Sequence, residues 1–238
     1  MKRRSFSCFV AALICSLTGL AGFADTIVVP NGNTTVEGNT GLTVPFAIGE
    51  MRWQQVYDRS QFSGLFSDQI LITHLAFRIE GPVGTSFSTV VNDLTIRMSS
   101  TPVDFSSAST EFNKNFGADL EIVLPTQNFQ LSGVKSSTTS FDVVIPLPNA
   151  FQYDRRDGSL LVDFMVPNRQ DVPLLDGYSN SPDIPAFGIF GAVNNISGVK
   201  TAQSLVTEFQ FLSVPEPGVC GLLGVALLGV PFLSRKIK

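Results

Sequence analysis

Apolar side chains recur at every second position through much of this sequence, and that period constrains the fold more than any other feature. In STVVNDLTIRMSS, Val90, Leu94, Ile96 and Met98 fall on one side, while Val91, Asp93, Thr95, Arg97 and Ser99 fall on the other. Successive residues of an extended chain point to opposite faces, so this pattern predicts a strand with one buried face and one wet face. ILITHLAFRIE repeats it with Leu71, Leu75, Phe77 and Ile79 inward, and TSFDVVIPL with Phe141, Val143, Ile145 and Leu147 inward. Further strands are expected at DTIVV, LTVPFAI, RWQQVY, LEIVL, LLVDFMV, AFGIFG and VTEFQFL, separated by turn-forming clusters such as PNGNTT, RRDGS and YSNSPD. About ten such strands with almost no helical periodicity predict an all-β body, an antiparallel β-sandwich of jelly-roll type. Twenty Phe against one Trp and three Tyr suit a core between two sheets, because a Phe ring carries no polar atom to satisfy. Short helical turns are expected near DRSQFSG and EFNKNFG.

The two ends follow a different grammar. Lys2, Arg3 and Arg4 precede an apolar run from Phe9 to Leu20 and then the small residues of LAGFAD, which predicts a secretory signal over 1–24 cut between Ala24 and Asp25. Its partners would be the Sec translocon and signal peptidase. At the C-terminus, Gly218 to Leu233 is free of charge, and as a helix it would rise about 24 Å, slightly short of a hydrocarbon core. Arg235, Lys236 and Lys238 in the tip 234–238 can make up the difference by snorkelling, and their charge places that tip on the cytoplasmic side. The span 25–213 is then an ectodomain ahead of a transmembrane helix.

Val214, Pro215, Glu216 and Pro217 stand directly before that run, and two prolines so close hold the segment extended. Together with the Gly/Leu-rich run 218–233 and the basic tip, they resemble the PEP-CTERM sorting signal of exported bacterial proteins. The resemblance covers 214–238 alone. It implies an exosortase-type membrane protease as partner and a Gram-negative cell envelope or extracellular matrix, with exopolysaccharide nearby, as the destination. A second resemblance lies within the ectodomain, where QQVYDRSQF, ITHLAFR and FDVVIPLPNAFQYDRRDGSLLVDF are similar to a recurring domain of secreted bacterial proteins. Its matching positions are Gln54, Gln55, Val56, Tyr57, Ser60 and Phe62, then Phe77 and Arg78, then Phe151, Tyr153, Gly158, Leu160, Leu161 and Asp163. It implies a shared fold and address and carries no site.

Composition narrows what the ectodomain does. Cys8, Cys15 and Cys220 all lie in the terminal segments, which excludes disulfides and cysteine-based chemistry between Asp25 and Ser213. Of 16 basic and 20 acidic residues, six bases and one acid lie in the terminal segments, so the ectodomain carries 10 against 19. That acidity argues against nucleic acid as a partner. His74, the single histidine, shares the polar side of its strand with Arg78 and Glu80 and reads as a solvated residue; no Gly-x-Ser-x-Gly elbow accompanies it.

Acidic turns offer oxygen ligands of the kind calcium takes, Asp154, Asp157 and Asp163 in one stretch and Asp171, Asp176 and Asp183 in another. Neither has EF-hand spacing, Arg155 and Arg156 oppose the first set, and Asp before Gly serves turn geometry by itself. No other cofactor is indicated. In MRWQQVYD, Trp53, Gln55 and Tyr57 share one face, an aromatic pair with an amide between them, suited either to stacking on sugar rings or to filling a sandwich core. The ectodomain is therefore read as a structural or adhesive surface component, with a carbohydrate-binding module and a glycan-active enzyme as alternatives. No catalytic constellation supports the last, and a pair of facing carboxylates would be needed to revive it.

Overall fold

The structure, a computed structural model, describes residues 25–168, 170–179 and 185–214. Thirteen strands build it: β1 (Asp25–Val29), β2 (Thr40–Leu42), β3 (Met51–Tyr57), β4 (Gln69–Phe77), β5 (Ser86–Thr101), β6 (Glu121–Val134), β7 (Val143–Asp154), β8 (Ser159–Val166), β9 (Leu175–Ser179), β10 (Ala186–Gly191), β11 (Val199–Thr201), β12 (Gln203–Leu205) and β13 (Thr207–Ser213). Every pairing between them is antiparallel. They form a four-stranded sheet in the order β1-β13-β4-β7, a six-stranded sheet in the order β11-β10-β3-β8-β5-β6, and a small sheet β12-β9-β2. Single 3-10 turns occur at Arg59–Phe62 and Phe112–Asn115, inside the two stretches where helical turns are expected.

The two larger sheets pack face to face over an aromatic core. Phe77 of the four-stranded sheet meets Phe164 of the six-stranded sheet at 6.1 Å between ring centroids, and Tyr57 meets Phe209 edge to face at 4.9 Å. Trp53, Ile96, Met98, Val162 and Phe164 come from one sheet, Leu75, Ile145, Phe151 and Phe209 from the other. This is a β-sandwich-like body, all-β as the alternation requires.

The six-stranded sheet is covered on its second face as well. Residues 102–119, between β5 and β6, fold back over it, so Val56, Leu161, Phe187 and Ile189 pack against Ala108 and Phe112 in a second, smaller core. This explains why β3 is buried at all seven positions although its sequence mixes Arg, Gln and Trp. Met51, Trp53 and Tyr57 face the sandwich interior, while Arg52, Gln54 and Val56 face the covering segment.

The structure corrects the expected register of two strands, and one cause serves both. Val90 is exposed and Val91 buried, the reverse of a strict alternation, because the pairing of β5 shifts between Val91 and Leu94 and Asp93 takes a positive φ of 54°. Likewise Ile70 and Ile72 are buried and Leu71 is not, because β4 shifts register between Ile72 and His74. An inserted residue flips every side chain on one side of it to the other face. LTVPFAI is also not a strand: only its first residue pairs, in β2, and the chain then turns through Pro45 with Val44 and Phe46 buried.

Arg78, expected on a wet face, has no exposed surface. Its guanidinium donates to the carbonyls of Asn33, Thr34, Val36 and Thr139 and to Asp176 Oδ2 at 3.2 Å, and it lies 4.1 Å from the centroid of Phe141. It thereby ties the loop after β1 to the small sheet. Burial draws the guanidinium below its ordinary value and pushes the Asp176 carboxyl up, each opposed by the other's charge.

Candidate functional site

Trp53, Gln55 and Tyr57, the sugar-stacking candidates, are sealed in the core at 1%, 0% and 0% exposure. The indole Nε1 donates to Gln55 Oε1 at 3.1 Å, Gln55 Nε2 donates to the carbonyl of Leu205 at 2.8 Å, and Gln55 Oε1 also accepts from the Leu205 N–H at 2.9 Å. The Tyr57 hydroxyl lies 2.8 Å from Thr207 Oγ1, and burial pushes that hydroxyl far above the usual phenol range. Their polar atoms serve to lock the six-stranded sheet to the segment 205–207. The face they share is correct; the surface it meets is the opposite sheet, so no sugar ring reaches them.

The calcium candidates are dispersed. Asp163 is completely buried between Arg52, at 2.9 Å, and Arg97, and the Arg52 guanidinium lies 4.3 Å from the centroid of Phe112. Asp154 accepts from Arg156 and from Gln69 at 2.9 Å, which holds its carboxyl well below the usual carboxylate range, the Arg156 hydrogen bond contributing most. Asp157 is exposed in the turn beyond. In the second set, Asp171 is exposed, Asp176 is held by Arg78 and by the Gly38 N–H, and Asp183 lies outside the described residues. Among the described residues no three acidic or histidine side chains converge as a metal site would need. His74 is half-buried beside the β4 bulge, with Nδ1 2.9 Å from the Thr73 hydroxyl.

The signal segment 1–24 with Ala24, the motif residues Pro215, Glu216 and Pro217, the run 218–233 and the basic residues Arg235, Lys236 and Lys238 lie outside the described residues. Their two neighbours are described. Asp25 opens β1 opposite Phe211, and Val214 closes the body, donating its N–H to the Gln69 carbonyl at 3.3 Å and accepting from Ser67 Oγ at 3.1 Å. Among the described residues no helix is long and apolar enough to cross a membrane.

One concavity among the described residues was not foreseen from sequence. A groove of about 780 Å³ opens where the connections after β1, β3 and β5 meet, lined by Asn31, Asp58, Gln61, Asp104, Phe105 and Tyr178 among others. A smaller recess of about 330 Å³, lined by Arg59, Arg155 and Arg156, shares Asp58 and Ser60 with it. The walls are braced. Asn31 donates from its backbone N–H to Gln61 Oε1 and from Nδ2 to the Gln61 carbonyl, both at 2.9 Å. Asp58 caps the turn after β3 through the Ser60 N–H at 2.8 Å. Asp104 accepts from Ser106 Oγ and from the N–H and Oγ of Ser107, which lowers its carboxyl to about 2.

Phe105 is fixed as firmly. Its ring packs edge to face on Phe187 at 5.5 Å, and Lys200 Nζ lies 4.9 Å from its centroid while donating to its carbonyl at 2.6 Å. What the groove can do chemically follows from these restraints: it offers two half-exposed aromatic surfaces and carboxylates that accept hydrogen bonds. A general acid needs a raised carboxyl, and Asp104 is held the other way. Such a site escapes a sequence reading because its residues come from five separate segments; the only local signals are turn residues, which are common everywhere. No protein-family model, no curated protein and no solved structure matches this chain, so its residues and their geometry carry the functional reading.

Proposed function

We propose that this chain is an exported cell-surface or extracellular-matrix protein with a structural or adhesive, non-catalytic ectodomain. Its C-terminal segment, Val214 through the basic residues Arg235, Lys236 and Lys238, is a PEP-CTERM sorting signal handled by an exosortase-type membrane protease. Within this reading the ectodomain is a jelly roll, supported by the order β1-β13-β4-β7 facing β3-β8-β5-β6, which two interleaved Greek keys produce.

One observation carries the sorting reading. Among the described residues the last contacts are those of Val214 to Ser67 and Gln69, directly before Pro215 in sequence, so cleavage at the motif would leave every described strand intact. The test is the intact mass of the protein recovered separately from membranes and from culture medium. A species running from Asp25 to the neighbourhood of Val214–Pro217 is expected in the medium; protein found only in membranes and still ending in Lys238 would overturn the sorting reading. Replacing Pro215, Glu216 and Pro217 together is expected to leave the full-length form in the membrane.

A further inference from the structure

We infer that the groove between Asn31, Gln61, Phe105 and Tyr178 is a binding site for a short, uncharged saccharide segment, of hexopyranose units, lying along the aromatic surfaces. The inference gives the adhesive role a ligand class and rests on that reading only for its biological setting.

The site has the size and pre-formation of a ligand site. About 780 Å³ falls within the range of small-molecule clefts, which runs from about 300 to 1,000 Å³. Its walls are tied by Asn31 to Gln61, by Asp58 and Asp104 to their own turns, and by Lys200 to Phe105, so little ordering remains to be done on binding.

Its chemistry then selects among ligands. Among the described residues no hydrogen bond engages the Tyr178 hydroxyl, the Ser60 hydroxyl or the Gln61 Nε2 amide, although the other atoms of these residues are used. Two carboxylates, Asp58 and Asp104, line the same space, and Asp104 stays ionised because three donors hold it low. Carboxylates need donors from the ligand and repel anions, which turns away nucleic acid and acidic polymers. A metal is poorly served, since among the described residues only these two carboxylates line the groove and each already accepts through Oδ1 within its own turn, leaving one oxygen apiece to a ligand. A peptide strand would need an open sheet edge, and these walls are connections apart from Tyr178, whose strand β9 is already paired on both sides by β12 and β2. What remains is a ligand that carries apolar C–H faces and hydroxyl donors and acceptors on one ring. A sugar lies its C–H face on Phe105 and Tyr178, gives hydroxyl hydrogens to Asp58 and Asp104, and receives them from Gln61, Ser60 and Tyr178.

The experiment titrates the full chain in detergent, by calorimetry, with neutral hexaoses of β-glucan, mannan and galactan and with polygalacturonate as the anionic counterpart. At least one neutral hexaose is expected to bind, and Tyr178→Ala and Gln61→Ala are each expected to weaken it about tenfold or more. Tyr178→Phe, which keeps the ring, is expected to weaken it less than Tyr178→Ala. Unfolding midpoints are recorded for each variant, so lost binding in a folded protein is separated from lost fold. Three outcomes would overturn the inference: no neutral hexaose binds, polygalacturonate alone binds, or both alanine variants bind as the parent does. Because the full chain is used, an uncleaved tail would sink the sorting reading and leave this one standing.

Discussion

Two clusters of the same residue types meet opposite fates in this molecule. Trp53, Gln55 and Tyr57 combine aromatic rings with an amide and are sealed; Phe105, Tyr178 and Gln61 combine the same groups and line an open groove. The difference lies in where the chain carries them. β3 sits inside a six-stranded sheet with the opposite sheet on one face and residues 102–119 on the other, so every polar atom must find a partner within the fold. The groove residues stand on connections and at the short strand β9, where an atom left unpaired is wet rather than buried. Aromatic and amide groups are thus neutral evidence about binding until their cover is known.

The sealed region should break most sharply at its charge centre. Asp163 has no exposed surface and pairs with both Arg52 and Arg97 beneath the 102–119 segment. Asp163→Ala leaves two cations crowded together without their shared counter-charge, Arg52 buried and Arg97 partly so, and is expected to cost about 3–5 kcal/mol, read as a drop in the denaturant midpoint. A loss comparable to that of an ordinary surface change would mean that the second face of the sheet is wet after all.

A matched pair of substitutions tests the comparison directly. Gln55→Leu strands the Trp53 indole N–H and the Leu205 N–H and leaves the Leu205 carbonyl only the Thr207 hydroxyl at 3.3 Å, and is expected to cost about 2–3 kcal/mol. Gln61→Leu removes one acceptor from an exposed Asn31 N–H that water can replace, and is expected to cost no more than about 0.5 kcal/mol. Equal costs would erase the distinction between the two clusters.

Much of this architecture is legible in the sequence and part of it is not, for reasons that can be named. Strands with one wet face announce themselves: Val143, Ile145 and Leu147 are buried between exposed Val144, Pro146 and Pro148. Bulges are harder. In β5 the weak strand formers Asn92 and Asp93 mark the slip, whereas Thr73 in β4 carries no such sign. Burial on a second face is invisible locally, because Arg78 and Asp163 look like surface charges until the 31–39 loop and the 102–119 segment fold across them. Gln54, Gln55, Tyr57, Phe62 and Tyr153 fall under the same heading, each buried by parts of the chain distant in sequence.

Alkaline pH separates buried from open phenols. Burial raises the hydroxyls of Tyr57 and Tyr153 above their unfolded value of about 10, so above that pH the unfolded chain releases protons that the folded chain retains. Their contribution to stability is complete below pH of about 10 and falls as pH rises toward the folded values, by up to about 1.4 kcal/mol per pH unit for each group. The phenolate absorbance of Tyr57 and Tyr153 is expected to develop together with loss of the β circular dichroism signal. Phenolate formation at these two positions in a protein that keeps its β signal would show that water enters the core.

The smallest effect is the finest probe of the comparison. Tyr57→Phe removes a hydroxyl bonded to Thr207 in a closed interior and should cost about 1 kcal/mol, because Thr207 keeps only its 3.3 Å bond to the Leu205 carbonyl. Tyr178→Phe removes a hydroxyl that no described residue engages, and its unfolding midpoint should stay within about 0.5 kcal/mol of the parent. The two variants delete the same atom, so the difference between them measures enclosure alone. If Tyr178→Phe proves as costly as Tyr57→Phe, the Tyr178 hydroxyl has a partner within the fold, and the groove loses one of the three groups it offers to a ligand.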